Sequence, residues 1–270
     1  MKNIKGKCLQ VLEIMRKPVM SVLPGHLSFF LLLSSIPIIL IFGIIASAFS
    51  LSFDSIAEFI TLSLPASTSK LILPLFSGKA LDISLVFLVL SALYLASRAT
   101  KAIIMAANSI YGLNRNSIQD IIKSIIITIL LILLFIFIII ILILGEKILV
   151  IISKIPEIGF LSSVNILRWP ISLFVIFFTI KLIYTLTPNK KISSKSVNKG
   201  TLFTTVAWII VTYIYSFYVT HYASYNDYYG SSSNLVVLML WVYLISQIFV
   251  IGMIINYIED KNSKVIQNKW

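Results

Sequence analysis

The chain has 270 residues, of which 59% are hydrophobic and only 12% charged, with a mean hydropathy of +1.00. That charged share is about half the usual value, and a soluble fold cannot bury so much apolar surface, so a multi-spanning membrane protein is the class that fits. The formal net charge of +12 would point to nucleic acid in a soluble protein, but here it matches basic residues gathered at the cytoplasmic ends of membrane helices, and no nucleic-acid partner is expected.

A single cysteine, Cys8, excludes both an intramolecular disulfide and a thiolate cluster. The first 25 residues lack a continuous apolar run ending in a small-residue cleavage site, so the first span is expected to serve as the insertion signal. Ile4 to Leu23 reads as an amphipathic helix, with Ile4, Cys8, Val11, Leu12, Met15, Val19 and Val22 on one face at 100° per residue. Two placements fit it equally: flat on an anionic inner leaflet, or tucked against the bundle. Pro24-Gly25 is expected to end it.

His26 to Ser50 forms the first predicted span. Pro37 should kink it, and Ser34 and Ser35 are placed to satisfy the carbonyls that the kink frees. Two short outer helices are expected at Asp54–Leu64 and Ser67–Phe76. The second span begins at Leu81, and its apolar part, to Ala96, is short. Its helical pattern continues through Arg98, Lys101 and Asn108 to Tyr111-Gly112, so the helix should protrude into the cytoplasm. The third span, Ile118 to Ile152, has a charge-free core from Ser124 to Leu144. Trp169 to Leu186, Val197 to Thr220 and Leu235 to Ile258 complete six spans, followed by a polar tail, Glu259 to Trp270.

With both termini inside, seventeen of the 22 Lys and Arg residues fall on cytoplasmic pieces and five on outer ones. That asymmetry over short loops predicts six spans, N-in and C-in. The expected architecture is therefore all-α: an amphipathic segment over residues 1–25, a six-helix transmembrane domain over 26–258 with a short outer helical hairpin, and a cytoplasmic tail over 259–270.

Several motifs recur in the order known from one family. They are the run Leu27-Ser28-Phe29-Phe30 through Ser34-Ser35-Ile36-Pro37, Asn108-Ser109-Ile110-Tyr111-Gly112, Tyr184-Thr185-Leu186-Thr187-Pro188-Asn189, Gly200, Tyr228-Tyr229-Gly230-Ser231 and Leu240-Trp241-Val242-Tyr243. In this ordered set, from about Pro24 to Asn256, the chain resembles the YihY / virulence factor BrkB family. The resemblance implies a bacterial inner-membrane protein with six helices. It also brings associations with serum resistance and envelope lipid transport, and an old ribonuclease BN label regarded as a misassignment. Pro188, Asn189, Gly200, Gly230, Trp241 and Gly252 are the structural motif positions. There is one departure: where many members carry Gly-Ala-Glu-x-Asn, this chain reads Gly252-Met253-Ile254-Ile255-Asn256, with Ile254 in place of the acid.

No enzymatic chemistry is expected. Metal-dependent phosphodiester hydrolysis needs converging carboxylates or histidines, whereas His26 and His221 fall near opposite faces and the ten acids are dispersed. There is no Gly-x-Ser-x-Gly and no phosphate-binding Gly-x-x-x-x-Gly-Lys-Ser/Thr, so neither a catalytic set, a metal nor a cofactor is assigned.

The first functional hypothesis is transport or translocation of an anionic or amphiphilic substrate without ATP. Its substrate-path candidates are Ser34, Ser35, Pro37, Arg98, Lys101, Asn108, Lys181, Tyr218, Asp227, Tyr229, Gln247 and Asn256. Lys181 lies about 10 Å inside the Thr187-Pro188 end, where it either snorkels to headgroups or lines a cavity with Arg98 and Lys101 to meet a lipid phosphate. The tyrosine cluster from Tyr213 to Tyr229 serves either interfacial anchoring or headgroup binding. The second hypothesis is a scaffold that docks an envelope-assembly partner through its outer loops. Membrane lipids are partners in both.

Overall fold

The computed structural model of the chain describes residues 2–48, 83–113, 118–134, 164–221 and 233–267. Among them the backbone forms seven helices and no strand: α1 (Lys2–Met15), α2 (Pro18–Ala48), α3 (Ile83–Tyr111), α4 (residues 118–134), α5 (Val164–Leu186), α6 (Asn198–His221) and α7 (Ser233–Gln267).

The expected break at Pro24-Gly25 is not there. α1 closes earlier, with Arg16 N donating to Leu12 O at 3.0 Å and Lys17 N to Ile14 O at 3.1 Å. Pro18 then takes the first helical position of α2, where its missing N–H costs nothing and its fixed φ suits the helix. The Lys17 carbonyl accepts from Met20 N at 2.8 Å and Ser21 N at 3.3 Å, and the Ser21 hydroxyl donates to Pro18 O at 2.8 Å. Pro24 falls inside the helix that Pro18 has started, and α2 runs through it to Ala48.

Between Leu9–Met15 and Met20–Ser34 the chain bends by 72°. α1 therefore lies across the end of the bundle against α7, with Val11, Ile14 and Met15 packed on the core. This is the tucked placement. The apolar face is narrower than its period predicts, because Leu12 and Val22 are exposed.

α2 packs along α3, and α7 packs against both α2 and α6, with α5 packed against α6 and its Tyr184 reaching Phe249 on α7. Alanines at 99, 102 and 106 on one side of α3 are buried, which lets neighbouring backbones approach. α6 and α7 form an antiparallel pair held in one register by donors that bond the facing backbone. Trp208 Nε1 donates to Ile245 O at 2.9 Å, and Tyr215 OH to Val237 O at 2.8 Å.

The outside of this bundle is apolar. Of the most apolar 18-residue windows of α6 and α7, only 11% and 28% are buried. Ile121, Ile122, Ile125, Ile126 and Ile129 on α4 are exposed as well. Apolar surface on this scale does not stay in water, and lipid is the solvent that matches it. Two stretches, Asn198–His221 and Leu235–Asn262, are long and apolar enough to cross a membrane, and the bent α1–α2 pair raises the number to three among the described residues. Leu173–Leu186 on α5 is a shorter apolar helix. The outer helices Asp54–Leu64 and Ser67–Phe76, the second half of the third predicted span and the turn carrying Asp227, Tyr229 and Gly230 lie outside the described residues.

At its far end α7 runs past the expected limit at Ile258 to Gln267. Lys199 Nζ pairs with Glu259 at 2.5 Å and Lys190 Nζ with Asp260 at 3.3 Å, tying the first turn of the expected tail to α6 and to the turn before it.

Candidate functional site

α5 ends at a proline turn, Thr187-Pro188-Asn189, whose own carbonyls lie beyond the helix and need donors from elsewhere. Lys123, on the first turns of α4, supplies them. Its ammonium donates to Thr187 O at 3.0 Å, Pro188 O at 2.7 Å and Asn189 Oδ1 at 2.9 Å. A cation at a helix C-terminus also meets the negative end of the dipole.

Asn189 extends the contact. Its backbone N–H donates to Asn108 Oδ1 at 2.8 Å and its side-chain amide to Asp120 Oδ1 at 2.6 Å, while Asn108 Nδ2 reaches the same carboxylate oxygen at 3.4 Å. Asn108 and Asp120 are 0% and 2% exposed. A carboxylate so enclosed needs charge compensation, and here the Asn189 amide links it to the Lys123 ammonium. α3 is stopped just beyond Asn108 by Gly112, at φ 64°, with Leu113 N closing onto Asn108 O at 2.8 Å. Three helix ends and one turn thus meet in a single hydrogen-bonded junction.

Beside it, α6 and α7 touch backbone to backbone. A Cβ on Gly200 would lie 2.1 Å from Gly252 O, and one on Gly252 would lie 1.9 Å from Thr204 Oγ1. Gly200 N, an orphan donor of the first turn of α6, bonds Asn256 Oδ1 at 2.7 Å. The Asn256 Nδ2 is enclosed and has no partner among the described residues. Tyr184 OH donates to Phe249 O at 2.7 Å and sits 2.8 Å from Thr204 Oγ1. Ile254 is wholly buried in the apolar core beside Val250 and Met253. At the rim, Tyr111 meets Tyr257 edge to face at 5.3 Å between centroids. Burial, then the nearby Asp260 carboxylate and Tyr257, push the Tyr111 phenol well above its ordinary pKa of 10.0.

The position of Arg98 follows from the register of α3 against α4. Asn108 opposes Asp120, and the buried hydroxyls of Thr100 and Thr128 meet at 2.7 Å, so α3 and α4 run antiparallel in a fixed register. Arg98 lies ten residues before Asn108, about 15 Å along the helix, and about level with Leu130 in the charge-free part of α4. Arg98 is exposed; its guanidinium donates to Tyr94 OH through Nε at 3.1 Å and through NH2, and it stacks on the Tyr94 ring 4.9 Å from the centroid. Side chains lean toward the helix N-terminus, so the charge points away from the junction.

The remaining candidates divide plainly. Asn108, Pro188 and Asn189 come together in the junction, and Gly200, Gly252 and Asn256 in the crossing beside it. Arg98, Lys101 and Lys181 do not converge, because α3 and α5 share no substantial packing among the described residues. Lys101 and Lys181 are half-buried, and neither has an ion-pair partner among the described residues. Ser34 is enclosed, but its hydroxyl bonds Leu31 O at 3.0 Å rather than the Leu33 carbonyl that Pro37 frees. The side chains of Ser35 and Pro37 lie outside the described residues. Tyr218 is exposed, Gln247 is half-buried, and Trp241 Nε1 donates to Thr212 Oγ1 at 3.2 Å. Asp120 and Lys123 were not foreseen as site residues. Their spacing of three at the start of an apolar helix, which puts both on one face, is the signal that marks them. Among the described residues no group of three His, Cys, Asp or Glu side chains is placed to hold a metal.

The fold and this site define a helical membrane protein knitted at one end by a buried polar junction. The sequence matches the model of the virulence factor BrkB family over residues 12–269, and the chain belongs to that family. It is 30% identical over 248 residues to the ribonuclease-like protein YfkH of Bacillus subtilis (strain 168), covering 89% of this chain and 90% of that one. A shorter match of 63 residues, 32% identical, joins it to the UPF0761 membrane protein PSHAa0171 of Pseudoalteromonas translucida (strain TAC 125), covering 23% of this chain and 21% of that one. No solved structure matches the chain.

Proposed function

We propose that the protein carries an anionic amphiphile, a lipid-like molecule, across a bacterial inner or plasma membrane without hydrolysing ATP. In this reading six spans cross the membrane, both termini are cytoplasmic, and the polar junction is the cytoplasmic end. The observation that carries it is Arg98: an exposed guanidinium level with the charge-free stretch of α4, where burial in lipid alone is costly and a charge is kept for use. Tyr94 holds that charge on the outer surface of α3, where an anionic headgroup travelling along the bundle would meet it. The word ribonuclease in the name of the Bacillus relative belongs to that protein. Here we read a non-enzymatic carrier, a reading supported by the dispersal of the ten acids. The scaffold alternative rests on outer loops beyond the described residues.

The test is reconstitution of the purified full-length chain into vesicles containing headgroup-labelled phosphatidylglycerol, with a leaflet-specific quencher. Translocation faster than in protein-free vesicles is expected. Equal rates overturn the proposal.

A further inference from the structure

We infer that the cavity beneath α1 binds a phosphate-bearing headgroup. The cavity, about 290 Å³, is an open cleft between α1, the start of α2 and the ends of α3 and α7. Its floor is apolar, from Ile14, Met20, Ile110 and Ile258, the last three buried. Its rim is polar and exposed: Glu13 on α1, Lys17 in the bend between α1 and α2 and Lys261 on α7 line it, with the amides of Gln10 and Asn262.

Charge selects the ligand. The two acids nearest on α7, Glu259 and Asp260, already pair with Lys199 and Lys190. Lys17 and Lys261 have no ion-pair partner among the described residues, and Glu13 offsets only one of them. The rim is left with one net positive charge, which a monoanionic phosphodiester neutralises while the two amides donate to its oxygens. The volume is at the small end for ligand cavities, about 300 Å³ upward, so it takes a headgroup but no acyl chain. Chains of a lipid would instead lie over Leu9, Leu12 and Val22, large apolar side chains exposed on the same two helices. A phosphate bridging Lys17 and Lys261 would fasten the α1–α2 bend to α7. The site is about 17 Å along α3 from Arg98, so this inference stands or falls apart from the transport reading.

The test uses the delipidated full-length protein in neutral detergent, titrated with short-chain phosphatidylglycerol, with glycerol phosphate, and with a phosphate-free diacylglycerol. Binding is followed by native mass spectrometry, and folding is checked by thermal melting. Phosphatidylglycerol is expected to bind in preference to the diacylglycerol. Lys17→Gln with Lys261→Gln should weaken it by roughly tenfold or more, Glu13→Gln should tighten it, and Lys195→Gln should leave it unchanged. Glycerol phosphate that displaces the lipid identifies the free phosphate compound as a sufficient ligand. Failure to displace it identifies the lipid headgroup, held with its chains. Equal binding of the diacylglycerol, or a double variant and Glu13→Gln that both bind like the wild type, overturns the inference.

Discussion

Lys123 and Asn189, 66 residues apart in the chain, meet at 2.9 Å, and the same Asn189 amide passes the contact on to Asp120 at 2.6 Å. One side chain thereby couples a lysine and a carboxylate on α4 to the turn that ends α5. Lys123→Met should leave three acceptors without their donor, at a cost of about 1–3 kcal/mol. Paired with Asp120→Asn in a double-mutant cycle, the loss should be non-additive by about 0.5–3 kcal/mol. Thermal melting in detergent measures both; additive losses would mean that the amide does not couple the two charges.

The backbone contact of α6 with α7 makes a second prediction. Gly200→Ala would set a methyl group 2.1 Å from a carbonyl oxygen of Gly252, which cannot swing away as a side-chain tip can. Gly252→Ala would meet Thr204 Oγ1 and Tyr184 OH instead. Each should destabilise by about 1–3 kcal/mol through overpacking. Gly25→Ala, with nothing within 4 Å, is the control and should be neutral or slightly stabilising. Equal melting temperatures for all three variants would refute the close approach.

Tyr111 gives the pH dependence. Its folded pKa is raised above the ordinary 10.0, so the folded protein keeps a proton that the unfolded chain releases. The stability linked to that proton is complete below pH 10 and is lost as the pH climbs above it toward the folded value. A Tyr111→Phe variant should therefore lose less stability than the wild type between pH 10 and 11.5, as read by melting temperature. Parallel losses in the two proteins would place Tyr111 in an unperturbed setting.

Much of the helix plan was legible because charge-free runs announce themselves: the C-terminal ends of α3, α5 and α6 fall within a residue or so of the predicted ones, although α5 starts at Val164, five residues before the expected Trp169. The start of α2 was not, since Pro24-Gly25 is a stronger breaker by composition than Pro18, yet a proline that can occupy the first turn begins a helix rather than ending one. Asn108 and Asn189 could be singled out separately. Their bond could not, because nothing local records a pairing across 81 residues. Lys123 looked like one more cytoplasmic charge, and its acceptors are backbone carbonyls, which leave no mark in side-chain identity. The level of Arg98 against α4 was hidden for a related reason: hydropathy reports where charges are along one helix, whereas the Thr100–Thr128 contact reports which residues of two helices stand side by side.

The proposed six-span arrangement predicts which positions face which side. In a Cys8→Ser background, Tyr229→Cys should react with a membrane-impermeant maleimide in intact cells. Lys195→Cys should react only after permeabilisation. The reverse pattern would invert the topology.

The most direct measurement of the central claim is the flip rate of headgroup-labelled phosphatidylglycerol in vesicles carrying wild type, Arg98→Lys or Arg98→Gln at equal protein density. The account predicts that Arg98→Gln slows translocation roughly tenfold or more while Arg98→Lys, which keeps the charge but not the planar fork, retains part of the rate. An Arg98→Gln protein that flips lipid as fast as the wild type would contradict it.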